Sequence, residues 1–96
     1  MASPMGQSPA QETGISVTVR YFAAAQAAAG VEAETLVVRP GTTVGELVER
    51  LAAHGSRLAT VLSRCSYLCD GVAVRDETTA LQSGDTIDVL PPFSGG

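Results

Sequence analysis

The sequence predicts an α+β domain, a sheet with one main helix packed on one face, and three observations carry that reading. Residues 15–22 and 86–90 alternate apolar and polar side chains, the two-residue period of half-buried strands. Between them, Thr43-Val44-Gly45-Glu46 has the form of a capping box. Val44, Leu47, Val48 and Leu51 follow at i, i+3, i+4 and i+7, the stripe of an amphipathic helix. The order strand, short helix, strand, helix, strand pair, strand then fits an open sheet with the longer helix joining its second and third strands.

Each element has its own warrant. Residues 1–14 are rich in Ser, Pro, Gln and Gly without periodic apolar residues, so they read as a disordered leader with no assigned function; Met5 is a possible alternative start. In strand one, Ile15, Val17, Val19 and Tyr21 share a face. Ala23 to Ala29 is a strong helix former ended by Gly30, one or two turns long and marginal without tertiary contacts. Glu34 to Arg39 is strand two, stopped by Pro40-Gly41. The main helix ends at His54-Gly55. On its outer face Glu46 and Arg50 are expected to pair at i, i+4, worth ~0.2–0.5 kcal/mol and no more than a solvated face. Leu58, Val61 and Leu62 mark a further short helical turn. Cys65 to Asp70 reads as a strand that turns at Asp70-Gly71 into Val72-Ala73-Val74. Leu81 anchors a loop and Ser83-Gly84-Asp85 is a turn. In the last strand, Thr86 to Leu90, Ile87 and Val89 face one side and Thr86 and Asp88 the other. The folded domain is therefore expected over residues 15–90.

Composition narrows the function classes. A chain of 96 residues allows one small domain, which buries roughly 60–65% of the unfolded chain's surface. The net charge of −4, the pI of about 4.7 and the lack of a basic run argue against nucleic acid as a partner. No apolar stretch approaches the ~18–20 residues that span a bilayer, and the N-terminus lacks the pattern of a signal peptide, so a cytoplasmic protein without a membrane partner is expected. Cys65 and Cys69 on an extended chain lie ~13 Å apart, beyond the roughly 4.4–6.8 Å of a disulfide. With one distant His they also fall short of the four ligands of a structural zinc site, so free thiols and no metal are expected. His54, the single histidine, sits in the last helical turn, where the helix dipole favours a cation; no Ser, Cys or acid pattern beside it forms a triad.

The stretch with chemistry is the last one, Leu90-Pro91-Pro92-Phe93-Ser94-Gly95-Gly96. Two prolines fix φ and lack N–H groups, so Pro91-Pro92 stops the strand and projects residues 91–96 as a stiff arm. Ser94-Gly95-Gly96 has little side-chain bulk and suits a backbone threaded into a narrow channel of another protein. The expectation is that Gly96 is the free C-terminus and presents its carboxylate there. With a pKa near ~3.5 that group is an anion at neutral pH and a poor electrophile. Adenylation by ATP would turn it into an acyl-adenylate, and a sulfur nucleophile could then replace AMP to leave a thiocarboxylate. The competing reading is a passive tail without chemistry. The six basic residues are all Arg and the chain has no Lys. Either codon bias accounts for this, or the absence protects an activated C-terminus from side-chain amines of its own kind.

Val89-Leu90-Pro91-Pro92-Phe93-Ser94-Gly95-Gly96 resembles the ending of the ubiquitin-like sulfur carriers, the MoaD/ThiS family, and most closely the MoaD-type small subunits of molybdopterin synthase. The ThiS-type thiazole carriers are the nearest relatives of those; they resemble this chain in ending with Gly-Gly but typically lack the Pro-Pro-aromatic-Ser spacer. The likeness covers Ile15 to Gly96, with Asp70-Gly71 and Gly84-Asp85 as weaker support. It departs from the family at Ala25 to Ala29, where carriers often have a larger, charged sequence. The resemblance implies a ubiquitin-like β-grasp, a mixed sheet whose first and last strands lie side by side and parallel at its centre. It implies a carried substrate and not a catalyst, with no cofactor of its own. ATP is used by an E1-like adenylating enzyme that acts on Gly96, and a sulfurtransferase supplies the sulfur. The large subunit of molybdopterin synthase receives the tail through Pro91, Pro92, Phe93, Ser94 and Gly95 and makes the dithiolene of molybdopterin. Phe93 itself is too close to the terminus to belong to the sheet, so it is either loosely packed on its own domain or, as expected here, an anchor for a partner. Sulfur donation to thiazole or another product remains open, as does a ubiquitin-like interaction module whose tail is incidental.

Overall fold

A computed structural model describes residues 14–92. Most of the leader and the tail positions Phe93, Ser94, Gly95 and Gly96 lie outside the described residues, and the expectations placed on them lie outside with them. The elements run β1 (Ile15–Tyr21), α1 (Ala23–Ala29), β2 (Ala33–Val38), α2 (Val44–Ala52), α3 (Ser56–Leu62), β3 (Ser66–Cys69), β4 (Val72–Ala73) and β5 (Thr86–Leu90).

The strands form one mixed sheet in the order β2-β1-β5-β3-β4. β1 and β5 are parallel, in register from Thr18 opposite Thr86 to Tyr21 opposite Val89, and the other pairings are antiparallel. First and last strands therefore lie side by side inside the sheet, as the resemblance implies. The Asp70-Gly71 turn has φ of 50° and 84°, the doubly left-handed geometry of a two-residue hairpin, which Asp tolerates and Gly adopts freely.

One face of this sheet carries Val17, Val19 and Tyr21 of β1, Ile87 and Val89 of β5 and Tyr67 of β3, all buried. Closing over them are Val44, Leu47 and Leu51 of α2, Leu58 and Leu62 of α3, Ala25 of α1 and Leu81 of the long loop. Full burial of a Val or Leu contributes roughly 1.5–3 kcal/mol, so the stripe that marks α2 in the sequence is also what binds it to the sheet. The alanine run has a structural use: Ala25 is fully buried, and its lack of bulk lets α1 pack closely against α3. Gly30, at φ 83°, ends α1 by returning its N–H to the Gln26 carbonyl.

Three expectations need correction. Glu46 and Arg50 do not pair: the Glu46 carboxylate turns back to accept from the Thr43 N–H at 2.9 Å, completing the capping box, while the Arg50 guanidinium donates to the Val37 carbonyl at 3.0 Å. A backbone N–H at a helix start and a carbonyl of β2 win over an exposed ion pair of small worth. Strand two begins and ends one residue earlier than expected, because Ala33 pairs with Arg20 and the Arg39 carbonyl already accepts from Thr42 in the following turn. The main helix ends at Ala52, so exposed His54 sits in the turn beyond it, with its N–H on the Leu51 carbonyl.

Candidate functional site

β5 is held on both sides, by β1 and by β3, up to the pairing of Leu90 with Ser66. The Phe22 N–H adds a bond to the Val89 carbonyl at 3.2 Å. Pairing then stops at Pro91, which has no N–H to give. The arm thus leaves from an inner strand, and its root has a fixed position. Pro91 is half-buried and Pro92 exposed. Together with Ala24 of α1 and Thr60, Val61 and Arg64 on and just after α3 they line a groove of about 240 Å³. Its surface is largely apolar, and Arg64 is the one charge in it. Sequence reasoning found the prolines but missed this groove, because its walls come from three stretches with no common motif. The i, i+3, i+4, i+7 spacing of Arg57, Thr60, Val61 and Arg64 was the available signal.

The other residues singled out from the sequence do not assemble a reaction centre. Cys65 and Cys69 are free and half-buried. Burial pushes the Cys65 thiol up from its ordinary value, and its Sγ donates to the Val61 carbonyl at 3.2 Å. The Cys69 thiol is pushed to about 11, first by burial and then by the neighbouring Asp85. Both are poor nucleophiles at neutral pH. Cys69 does meet Asp70 and Asp85, with ligand atoms within 4.8 Å of one another, a grouping the sequence reading did not foresee. Both carboxylates already accept backbone N–H groups, Asp70 from Thr86 at the start of β5 at 2.9 Å and Asp85 from Gln82 within its own turn at 2.8 Å.

Asp88 faces away from the helices, as alternation predicts, yet only 6% of it is exposed. Arg20, its neighbour across the parallel pair, lies over it with bonds of 2.6 and 2.9 Å and also covers the Phe22 ring at 5.6 Å. This is the one ion pair among the described residues. A larger depression of about 500 Å³ is lined by Ala23, Gln26, Ala27, Gly30, Val31 and Glu32; Glu32 is its one ionisable side chain, with no nucleophile or second carboxylate in the lining. No helix among the described residues is long and apolar enough to cross a membrane.

The family model described as "ThiS family" matches residues 19–96. The molybdopterin synthase sulfur carrier subunit of Chlamydomonas reinhardtii is 30% identical over 83 residues, covering 85% of this chain and 100% of the relative. That of Homo sapiens is 33% identical over 82 residues, covering 83% and 93%. Among solved structures, the Haloferax volcanii HVO 2177 protein superposes with a TM-score of 0.77 at 28% identity, over 88% of this chain and 89% of that one. Subunits 1 and 2 of the molybdopterin-converting factor of Helicobacter pylori are seen in complex, and the matching chain has a TM-score of 0.60 at 26% identity, over 85% and 100%. A ubiquitin from Caldiarchaeum subterraneum shares the fold alone, at a TM-score of 0.59, 18% identity and coverage of 86% and 99%. The sheet is that of the ubiquitin-like β-grasp, and the chain belongs to the ThiS family of sulfur carriers.

Proposed function

We propose that this protein is the sulfur-carrying small subunit of a molybdopterin synthase and delivers sulfur as a thiocarboxylate on Gly96. The observation that carries the reading is the stiff Pro91-Pro92 root, fixed on an inner strand and followed in the sequence by Phe93-Ser94-Gly95-Gly96. The names of its relatives in the alga and in human support the same reading. An E1-like enzyme joins the Gly96 carboxylate to the α-phosphate of ATP with loss of pyrophosphate. The persulfide sulfur of a sulfurtransferase then displaces AMP to give an acyl disulfide, and a thiol reduces its S–S bond to release the thiocarboxylate. The large subunit receives the arm along Pro91, Pro92, Phe93, Ser94 and Gly95, transfers the sulfur to the pterin precursor, and water restores the carboxylate. The chain is the carried group and binds no cofactor; the active sites belong to its partners. Two free thiols suit a reducing, cytoplasmic setting.

Deletion of Gly96, or Gly95→Val, is expected to abolish adenylation or sulfur transfer while leaving the melting temperature nearly unchanged, since exposed ends contribute little to stability. Wild-type transfer by the shortened chain would sink the carrier reading. Thiocarboxylated protein should then be offered to a molybdopterin synthase large subunit with its cyclic pterin precursor and, separately, to a thiazole synthase. Product from the thiazole reaction alone would overturn the assignment to molybdopterin. Intact mass of the protein from its native host, with one oxygen replaced by sulfur, is the direct sign of the carrier.

A further inference from the structure

β2 is an edge of the sheet, paired with β1 on one side and with no strand on the other. The Tyr21 N–H donates to the Glu32 carbonyl, so by alternation Glu34, Leu36 and Val38 turn their backbone groups toward β1, while Ala33, Thr35 and Val37 turn theirs outward. The Val37 carbonyl accepts from Arg50, which reaches over this edge from α2 at 3.0 Å. All three outward residues are exposed, Val37 to 61%. The strand has neither the Lys nor the Pro that commonly blunts an edge, and it pairs with β1 without a bulge. Arg39 and Arg50 line a depression of about 300 Å³ beside this edge. Neither they nor Glu32, at the other end of β2, has an ion-pair partner among the described residues.

We propose that this edge pairs with the same edge of a second copy, antiparallel about a two-fold axis at Thr35, joining the two sheets into one. Thr35 then faces Thr35 and Ala33 faces Val37, so outward N–H and carbonyl groups meet their complements and the exposed Val37 gains a cross-strand neighbour. The same axis sets Glu32 of each copy opposite Val38 of the other, beside Arg39 and Arg50, and the symmetry makes that charge contact twice. Arg50 exchanges the Val37 carbonyl for this carboxylate, and the Ala33 N–H of the second copy takes its place on the carbonyl. Neighbouring registers are worse. A shift one way sets Glu34 against Glu34, and a shift the other way brings into the ladder the Arg39 carbonyl, which already accepts from Thr42. β5 lies beyond β1 and runs antiparallel to β2, so the two arms leave in opposite directions with four strands between them, roughly 24 Å apart. An edge-to-edge contact is smaller than a standard interface, so the dimer is expected to be transient and to fill at high concentration. The inference does not rest on the proposed function.

The test uses the full chain, with sedimentation equilibrium from micromolar to millimolar concentration and amide hydrogen exchange at both ends of that range. The wild-type chain is expected to pass from monomer to dimer, and the amides of Ala33, Thr35 and Val37 to exchange roughly tenfold more slowly at the high end. Glu32→Arg alone, and Arg39→Glu/Arg50→Glu alone, are each expected to weaken dimerisation roughly tenfold. An equimolar mixture of the two should recover it, because one contact of the mixed dimer has its charges reversed on both sides and the other is wild type. Thr35→Pro removes an outward N–H without touching the β1 ladder and is expected to be monomeric. Circular dichroism checks that each variant is folded, and the charge pair carries the test by itself if Thr35→Pro is not. A wild-type chain that stays monomeric throughout overturns the inference, as does a dimer that every variant leaves intact or a mixture that fails to recover. Protection of the three amides that appears in a monomeric chain only when another protein is added would assign the edge to a partner's strand, and overturns it too.

Discussion

Tyr67→Phe tests how α3 is held against the sheet. Tyr67 is 8% exposed, and its hydroxyl donates to the Leu62 carbonyl at 2.8 Å. Leu62 is the last residue of α3, where carbonyls have lost their helical partners. The substitution keeps the ring and so opens no large cavity, which leaves the hydrogen bond as the main loss. A bond of this kind contributes about 0.5–1.5 kcal/mol net. The Leu62 carbonyl still accepts from the Cys65 N–H at 3.1 Å, so it is not orphaned. The cost should therefore fall in the lower part of that range, about 0.5–1 kcal/mol. For a domain of this size that is a drop of about 2–8 °C in melting temperature. Thermal and urea melts followed by circular dichroism measure it, with an unchanged urea m-value showing that the same surface unfolds. Burial pushes the Tyr67 hydroxyl well above its ordinary value of 10.0, so the donor persists at neutral and mildly alkaline pH, and the difference from wild type should be the same in both. An unchanged midpoint, or a loss above about 3 kcal/mol of the kind left by core truncation, would refute this account of the junction.

Other perturbations follow from the same structure. Leu47→Ala removes a fully buried side chain from the middle of α2 and is expected to cost about 3 kcal/mol or more in a urea melt; a loss below about 1 kcal/mol would contradict the packing described. Folding raises the Cys69 thiol from 9.0 to about 11 and raises Tyr21 and Tyr67 as well, so each holds its proton more tightly when folded. Their contribution is complete below the unfolded values and is lost as pH climbs through the folded ones; the melting temperature should fall progressively above about pH 9, less steeply in Cys69→Ser, and a flat profile would refute it. Replacing Pro91 and Pro92 with Gly should raise the entropy lost on docking by ~0.4–1 kcal/mol per residue, weakening sulfur delivery more than adenylation; equal loss in both assays would count against a stiff arm matched to one channel.

Local periodicity was enough to read nearly every element. Alternation marks Ile15–Tyr21 and Thr86–Leu90, and the capping box marks the start of α2 at Val44. What it does not contain is any statement about which strands meet, since a two-residue period is the same whichever neighbour a strand finds. The central β1–β5 pair came only from the family resemblance. The burial of Asp88 was hidden for the same reason: Arg20 is 68 residues away in sequence and becomes its neighbour only through that pairing. At the candidate site, Pro91 and Pro92 were legible because proline constrains the backbone by itself. The groove was not, because Ala24, Val61 and Arg64 acquire meaning only when α1 and α3 pack together. The Glu46–Arg50 misreading is of another kind: spacing permits the pair, but each side chain has a better partner in the backbone.

The position of β5 has a mechanical consequence. Any pull transmitted through the arm enters the domain along the axis of an inner strand, bonded to β1 on one side and β3 on the other. β1 runs in the same direction as β5, so the load is directed along the strands and across their bonds, and the ladder is sheared with several bonds strained at once. A strand at the margin, such as β4, would instead peel away one bond at a time. If a partner draws on the arm as proposed, the body of the carrier is therefore expected to stay whole under the load.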